Sequence, residues 1–110
     1  MSRRPSIGAR GRRFTIELPQ EAPDGFGGVL RSWQPGPRVW GAIEVLTSAE
    51  KIRSGRLDTI VTHRVTLPFR EDVGPDRRLI LGARRFRIRQ AGDPDGRRER
   101  VQCLVVEVAA

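Results

Sequence analysis

Hydrophobic and polar residues alternate with a period of two through much of this chain, the repeat of a half-buried β-strand. Phe14, Ile16 and Leu18 interleave with Arg13, Thr15 and Glu17, which predicts a first strand ending at Pro19. From Pro19 to Pro37 the pattern lapses into turn residues: Pro23, Asp24-Gly25, Gly27-Gly28 and Pro35-Gly36-Pro37. This stretch reads as a long loop, with room for only a short strand at Val29–Trp33. A second strand follows over Arg38–Val45. Val39, Gly41, Ile43 and Val45 share one face, and Trp40, Ala42 and Glu44 the other. Trp40 predicts partial cover on that second face and is assigned to the core.

The strongest alternation runs over Thr59–Arg70. Val61, His63, Val65, Leu67 and Phe69 lie on one side; Thr62, Arg64 and Thr66 lie on the other. Asp72–Asp76, containing Gly74-Pro75, reads as a turn. Leu79-Ile80-Leu81 and Arg85–Gln90 read as a hairpin joined around Gly82-Ala83. Its second arm points Phe86 and Ile88 inward and Arg85, Arg87 and Arg89 outward. Asp93-Pro94-Asp95-Gly96 is a further turn. The last strand, Glu99–Val108, is apolar enough to be central.

The one helix candidate is Thr47–Arg56, with Thr47 or Ser48 as cap and Glu50 in the first turn. Ile52 is almost its only apolar residue, so it gains little from packing and reads as a short helix or a long loop. The sum is a mainly β fold of five or six strands. It is a small antiparallel β-barrel or sandwich, with one short helix or long loop between strands. Residues 1–12 read as a flexible basic N-terminal arm and 13–110 as a single domain.

Composition narrows the function. The 110 residues are 37% hydrophobic and 31% charged, with a net charge of +8. One domain of this size buries only a modest core. Lys51 is the only lysine among 21 basic residues. A large positive field favours polyanions or acidic protein surfaces. A GC-rich genome would also bias the chain toward arginine, but that leaves the net charge unchanged. With Cys103 as the only cysteine, no intrachain disulfide can form, and a reducing cytoplasm is the natural place of synthesis. No apolar run is long enough to span a bilayer, and no apolar signal core follows the basic N-terminus.

Chemistry is sparse. His63 sits on the apolar side of a strand and reads as a core or interface residue. Cys103 reads as a small buried hydrophobe, and a Cys103–His63 dyad is a remote alternative. The ligand sets of a metal site are absent. Gly25-Phe26-Gly27-Gly28 lacks the lysine of a phosphate loop. No catalytic, cofactor-binding or metal-binding residues are assigned. The outward Arg85, Arg87 and Arg89 are more informative, since such a row suits DNA phosphates or a partner surface. Arg97, Arg98 and Arg100 would join them if the last two strands pair. The alternative is a solvated face balanced by acidic residues. Aromatics make up only 5% of residues, which weakens a single-strand stacking surface.

Taken in order, the segments resemble the phage head–tail joining family, the small connector or stopper proteins of tailed phages. The resemblance is carried first by Arg13-Phe14-Thr15-Ile16, then by Asp24-Gly25-Phe26-Gly27-Gly28 with Trp33 beyond, and by Val39-Trp40-Gly41-Ala42-Ile43-Glu44. Thr62-His63-Arg64-Val65, Gly82-Ala83-Arg84-Arg85-Phe86-Arg87-Ile88, Asp93-Pro94-Asp95 and Arg98 complete it. Leu46 stands where the family often has proline, and Gly82-Ala83-Arg84-Arg85 is one residue longer than a common turn of the family. Gene transfer agents, which are domesticated phage-like particles, use similar parts.

The resemblance implies a virion protein of a phage, prophage or gene transfer agent, assembled in the bacterial cytoplasm. It implies a homo-oligomeric ring of six or twelve copies. The portal or adaptor ring would lie above it and the tail terminator or tail tube below. Packaged double-stranded DNA would fill its channel, and no cofactor or membrane would take part. Within that picture Phe26 and Trp33 are the expected interface anchors. The polar segment Thr47–Asp58 would line or gate the channel through Lys51, Arg53 and Arg56. Arg85, Arg87 and Arg89 would contact DNA or an adjoining ring. The competing function is a monomeric basic β-barrel that binds nucleic acid.

Overall fold

The computed structural model describes residues 11–48 and 60–109. Six strands form in chain order: β1 (Arg12–Pro23), β2 (Val29–Val45), β3 (His63–Pro68), β4 (Arg78–Leu81), β5 (Arg84–Gly92) and β6 (Arg100–Val108). All pairings are antiparallel and the order around the sheet is β1-β2-β3-β6-β5-β4. The sheet closes into a barrel through a short seam, in which Thr15, Ile16 and Glu17 of β1 pair with Ile80, Leu79 and Arg78 of β4.

The alternation explains the interior. Phe14 and Ile16 point inward from β1, Val65 and Leu67 from β3, Leu79 from β4, and Phe86 and Ile88 from β5. Val101, Cys103 and Val105 of β6 complete a single core. Burying each large side chain is worth about 1.5–3 kcal/mol, so the barrel holds together mainly by this layer. Gly41 lets β2 approach closely. A Cβ there would meet Leu67 Cδ2 at 2.6 Å and the Thr66 carbonyl oxygen at 2.7 Å. The β4–β5 hairpin turns on Gly82-Ala83, with Gly82 at φ +62, as a two-residue turn with glycine first requires.

A smaller cluster lies on the outer side of β6, where Leu46, Val61 and Leu104 are buried and Val106 packs against them. The Leu46 N–H donates to the Thr62 carbonyl (3.0 Å) and the Thr62 N–H to the Val105 carbonyl (2.8 Å). Residues 46 and 61–62 are thereby bound to the barrel wall. A bulge between Ile88 and Gln90 shifts the phase of β5, so Ala91, and not Gln90, packs toward the core.

Three expectations are corrected. The predicted long loop Pro19–Pro37 is instead a two-stranded antiparallel ribbon that continues β1 and β2. Its register runs from Leu18↔Gln34 to Pro23↔Val29. Pro19 does not end β1, because an isolated ribbon has open edges, where a sheet tolerates proline. Gly36 and Pro37 fall at the irregularity between Thr15 and Glu17, opposite Ile16, and a Cβ at Gly36 would lie 2.6 Å from the Ile16 carbonyl oxygen. Trp40 is not core: it is 55% exposed, on the outward side of β2. Val45, expected on the inward face, stands exposed at the barrel rim as the last residue of β2.

The expected helix or loop Thr47–Arg56 lies outside the described residues beyond Ser48, as does the basic stretch 1–10.

Candidate assembly surface

The ribbon is the feature that stands clear of the barrel. Beyond Glu17, β1 pairs only with β2, and β2 gains its second neighbour, β3, only from Ala42 onward. The molecule accordingly measures 55 × 29 × 28 Å. A two-stranded ribbon is marginal in water by itself. One cross-strand ion pair, Arg31 Nε to Glu21 Oε1 at 3.0 Å, supports it at an exposed site.

The tip of the ribbon is built by Asp24. Its Oδ1 accepts the Phe26 N–H at 2.7 Å and the Gly28 N–H at 2.9 Å, while the Asp24 N–H donates to the Gly28 carbonyl at 3.2 Å. Gly25 and Gly27 take φ +86 and +83, which L side chains rarely adopt. The result is a fixed turn that presents Phe26 almost wholly to solvent, 94% exposed. Val29 and Leu30 are also exposed beside it. Phe26, an expected anchor, is thus held at the far end of the arm.

Trp33, the other expected anchor, lies on the ribbon near its root and is 38% exposed. The Arg78 guanidinium of β4 sits over its ring, 4.4 Å from the centroid. Arg78 Nε also donates to Glu17 Oε1 at 2.6 Å, in a pair whose side chains are 19% and 17% exposed. The root of the arm is therefore clamped to the barrel seam.

Arg85, Arg87 and Arg89 all project outward from β5, alternating with buried Phe86 and Ile88. Arg97, Arg98 and Arg100 do not join them. The β5–β6 ladder runs from Arg85↔Val108 to Gly92↔Gln102, so that second group lies at its opposite end. There Arg98 pairs with Glu71 and covers the Phe69 ring at 5.0 Å, and Arg100 lies 4.0 Å from Asp95. Asp93 organises this turn by accepting the N–H groups of Asp95, Gly96 and Arg98. Desolvation pushes its carboxyl up, but those backbone donors together leave it below the usual carboxylate range. Lys51, Arg53 and Arg56, the expected channel residues, lie outside the described residues.

The groups that a catalytic reading would need are placed as packing residues. His63 is buried, edge-on to the Phe86 ring at 5.4 Å, with Nδ1 2.7 Å from Thr62 Oγ1. Cys103 is fully buried, and desolvation pushes its thiol up to about 12. Among the described residues no three His, Cys, Asp or Glu side chains are grouped so as to hold a metal ion.

Sequence reasoning missed Arg13, Arg38 and Arg78 as surface-forming residues. Arg13 pairs with Trp40 across β1 and β2 and lies 5.3 Å from the Trp40 ring centroid. Only the strand register reveals these neighbours. The alternation of Arg13 with Phe14, and of Arg38 with Val39, was the one signal available.

Comparisons with known proteins agree with this architecture. The solution structure of protein SF1141 from Shigella flexneri 2a is similar over 94% of this chain and 96% of its own, with a TM-score of 0.77 and 28% identity. A chain from the virion of a native gene transfer agent particle is similar over 97% of this chain and all of its own. Its TM-score is 0.68 and its identity 25%. A search of curated proteins found no significant match. The family model described as phage head completion protein matches residues 5–108, nearly the whole sequence. With its barrel, its glycine-built tip and its ordered motifs all inside that match, the chain belongs to the phage head completion protein family.

Proposed function

We propose that this chain is a head–tail connector of a tailed phage-like particle. It acts as a stopper or adaptor whose copies form a ring under the portal, continue and close the DNA channel, and dock the tail. The family is a structural one of the phage head, and one similar solved chain is part of a gene transfer agent virion.

The observation that carries the connector reading is the arm. Asp24 fixes its tip, while Phe26, Val29 and Leu30 are left without cover. A fixed apolar tip on a ribbon with two open edges suits contact with a neighbouring subunit. Closed rings arise from such heterologous contacts when the rotation closes. The segment with Lys51, Arg53 and Arg56 enters the reading by its charge alone, as the channel-facing part.

The test is co-assembly. The full chain is mixed with the purified portal complex of the same particle and examined by native mass spectrometry and electron microscopy. The expected result is a ring of discrete copy number on the portal's tail-side end. A chain that stays monomeric with the portal complex present would refute the connector.

The outward arginines of β5 favour one competing reading, a monomeric barrel that binds nucleic acid. That reading requires the isolated chain to bind duplex DNA with an affinity that falls steeply with salt.

A further inference from the structure

We infer that the free edge of β2 over Val29–Trp33 is a docking site for an extended strand of a different protein. This rests on the connector reading, in which that protein belongs to the portal above or the tail below. It adds which edge of the arm receives the partner, and through what chemistry.

Backbone groups in an antiparallel pair alternate. At one residue pair the N–H and C=O groups bond across, and at the next they point away. The prolines of the ribbon tell the two kinds apart. Pro19 stands opposite Trp33, Pro23 opposite Val29 and Pro35 opposite Glu17. Proline has no N–H to give to the ladder, so these pairs are the ones that point away. Two contacts agree. The Asp24 N–H donates to the Gly28 carbonyl, one pair beyond Pro23 and Val29. Glu17, which points away from β2, is where β4 attaches through Arg78.

The two edges of the arm therefore differ. Past the seam, the outward-bonding positions of β1 are Pro19, Glu21 and Pro23, of which only Glu21 has an N–H. Those of β2 are Val29, Arg31 and Trp33, each with an N–H and a carbonyl. No strand pairs with them among the described residues, since β3 joins β2 only from Ala42. Proline on an edge strand guards it against unwanted pairing, and β1 is guarded in this way at two of three positions. The β2 edge over Val29–Trp33 is left able to accept a strand, the arrangement by which sheet edges bind extended peptides.

Another copy of this chain is a poor occupant. Its β1 edge carries the two prolines. Its β2 edge, in the register that uses all three residues, would set Arg31 against Arg31, and like charges directly opposite destabilise a sheet. Its remaining strands close on one another in the barrel. The fitting occupant is a strand of a different protein that places a carboxylate opposite Arg31, between apolar residues opposite Val29 and Trp33. Arg31 is able to serve it. Its bond to Glu21 is made between side chains 82% and 53% exposed, and a pair so open to water is weak. The apolar tip at Phe26 is a separate surface and stays available to a neighbouring copy.

The experiment separates backbone from side chain in the full-length protein. A proline pair, Val29→Pro with Arg31→Pro, removes two outward N–H donors. An alanine pair, Val29→Ala with Arg31→Ala, removes the same side chains and keeps the donors. Glu21→Pro blunts the opposite edge. The substituted N–H groups all point away from the ribbon, so thermal melts should match wild type. Binding to the purified portal complex and to purified tails of the same particle is then measured by interferometry. The proposal expects the proline pair to bind one of the two at least about tenfold more weakly than the alanine pair, with Glu21→Pro within about threefold of wild type. Equal binding by the two pairs at both partners overturns the edge and leaves the connector standing. A ring on the portal lost by the proline pair alone, read by native mass spectrometry, also overturns it and assigns the edge to a second copy. Failure of the wild type to bind either partner refutes the connector reading and the occupant together. Amide exchange tests the edge without any variant. In the free chain Val29, Arg31 and Trp33 should exchange faster than Leu30 and Ser32, and in the complex they should slow. The reverse order in the free chain, or no slowing in the complex, overturns the proposal.

Discussion

Arg78 of β4 donates from Nε to Glu17 Oε1 of β1 at 2.6 Å, across the seam that closes the barrel. That seam is only three residue pairs long, so a charged hydrogen bond within it matters more than on a longer ladder. The same guanidinium covers Trp33 and thus joins barrel closure to the root of the arm. Replacing Arg78 by Ala should destabilise the fold by about 1–2 kcal/mol, and Glu17→Gln by somewhat less, since the stacking on Trp33 survives. Urea unfolding of the two single variants and the double variant checks this. Strictly additive losses would show that the pair is not coupled.

The tip makes a different demand. Asp24→Ala removes the acceptor for two backbone N–H groups but touches no core residue. Global stability should change by less than about 1 kcal/mol, while hydrogen exchange at the Phe26 and Gly28 amides should accelerate. Phe26→Ser should leave the thermal midpoint unchanged and weaken co-assembly with the portal complex. Normal assembly by Phe26→Ser would remove the tip from the interface.

Gly41 is a packing constraint. A methyl there would lie within 2.7 Å of both Leu67 Cδ2 and the Thr66 carbonyl oxygen, too close without moving β2 from β3. Gly41→Ala should cost about 1–3 kcal/mol, visible as a lower urea midpoint at unchanged slope. Gly82→Ala, with nothing within 4 Å of its Cβ but a φ of +62, should cost about 1 kcal/mol through backbone strain alone.

Acid should unfold the protein through its ion-paired carboxylates. The bidentate hydrogen bond from Arg84 holds Glu107 below the ordinary glutamate range, against a smaller opposing desolvation. Arg70 does the same for Asp72. A carboxylate lowered in the folded state contributes stability at neutral pH, and that contribution is lost as pH falls through its folded value. Stability should therefore decline from just above the ordinary carboxylate range downward, and Arg84→Gln should flatten part of that decline. Both sites are exposed, so 0.5 M salt should shrink the effect. Melts from pH 7 to pH 3 test the sign.

Cys103 offers a probe of global opening. Desolvation raises its thiol to about 12 and the side chain is fully buried, so it should resist a thiol-reactive dye at pH 8 and react at once in denaturant. Rapid labelling of the folded chain would show that β6 opens locally.

Much of the fold is legible in local pattern. Alternation names the inward residues of β1, β3 and β5 because one face of each strand meets the core and the other is largely exposed, whereas β6 is legible only as apolar, since Leu104 and Val106 pack on its outer side. The turns at Gly82-Ala83 and Asp93–Gly96 follow from residues that tolerate those backbone angles. The ordered motifs also lead to the family. The arm escaped this reading because proline and glycine are loop signals in a sheet interior, whereas a free ribbon accommodates them at its edges and bulge. Trp40 escaped it because a large aromatic reads as core unless its face is known to look outward.

The sequence by itself thus determined which residues alternate, where the chain turns and that the molecule is a basic, β-built member of its family. Tertiary structure alone decided where the charge is spent. Glu17 and Arg78 are 61 positions apart, and nothing local pairs them. The same closure leaves Arg38 on β2, and Arg85 and Arg87 three strands away on β5, without carboxylate partners among the described residues. Ion pairing depends on distances of a few ångströms between strands remote in sequence, and only the register of the closed barrel sets them.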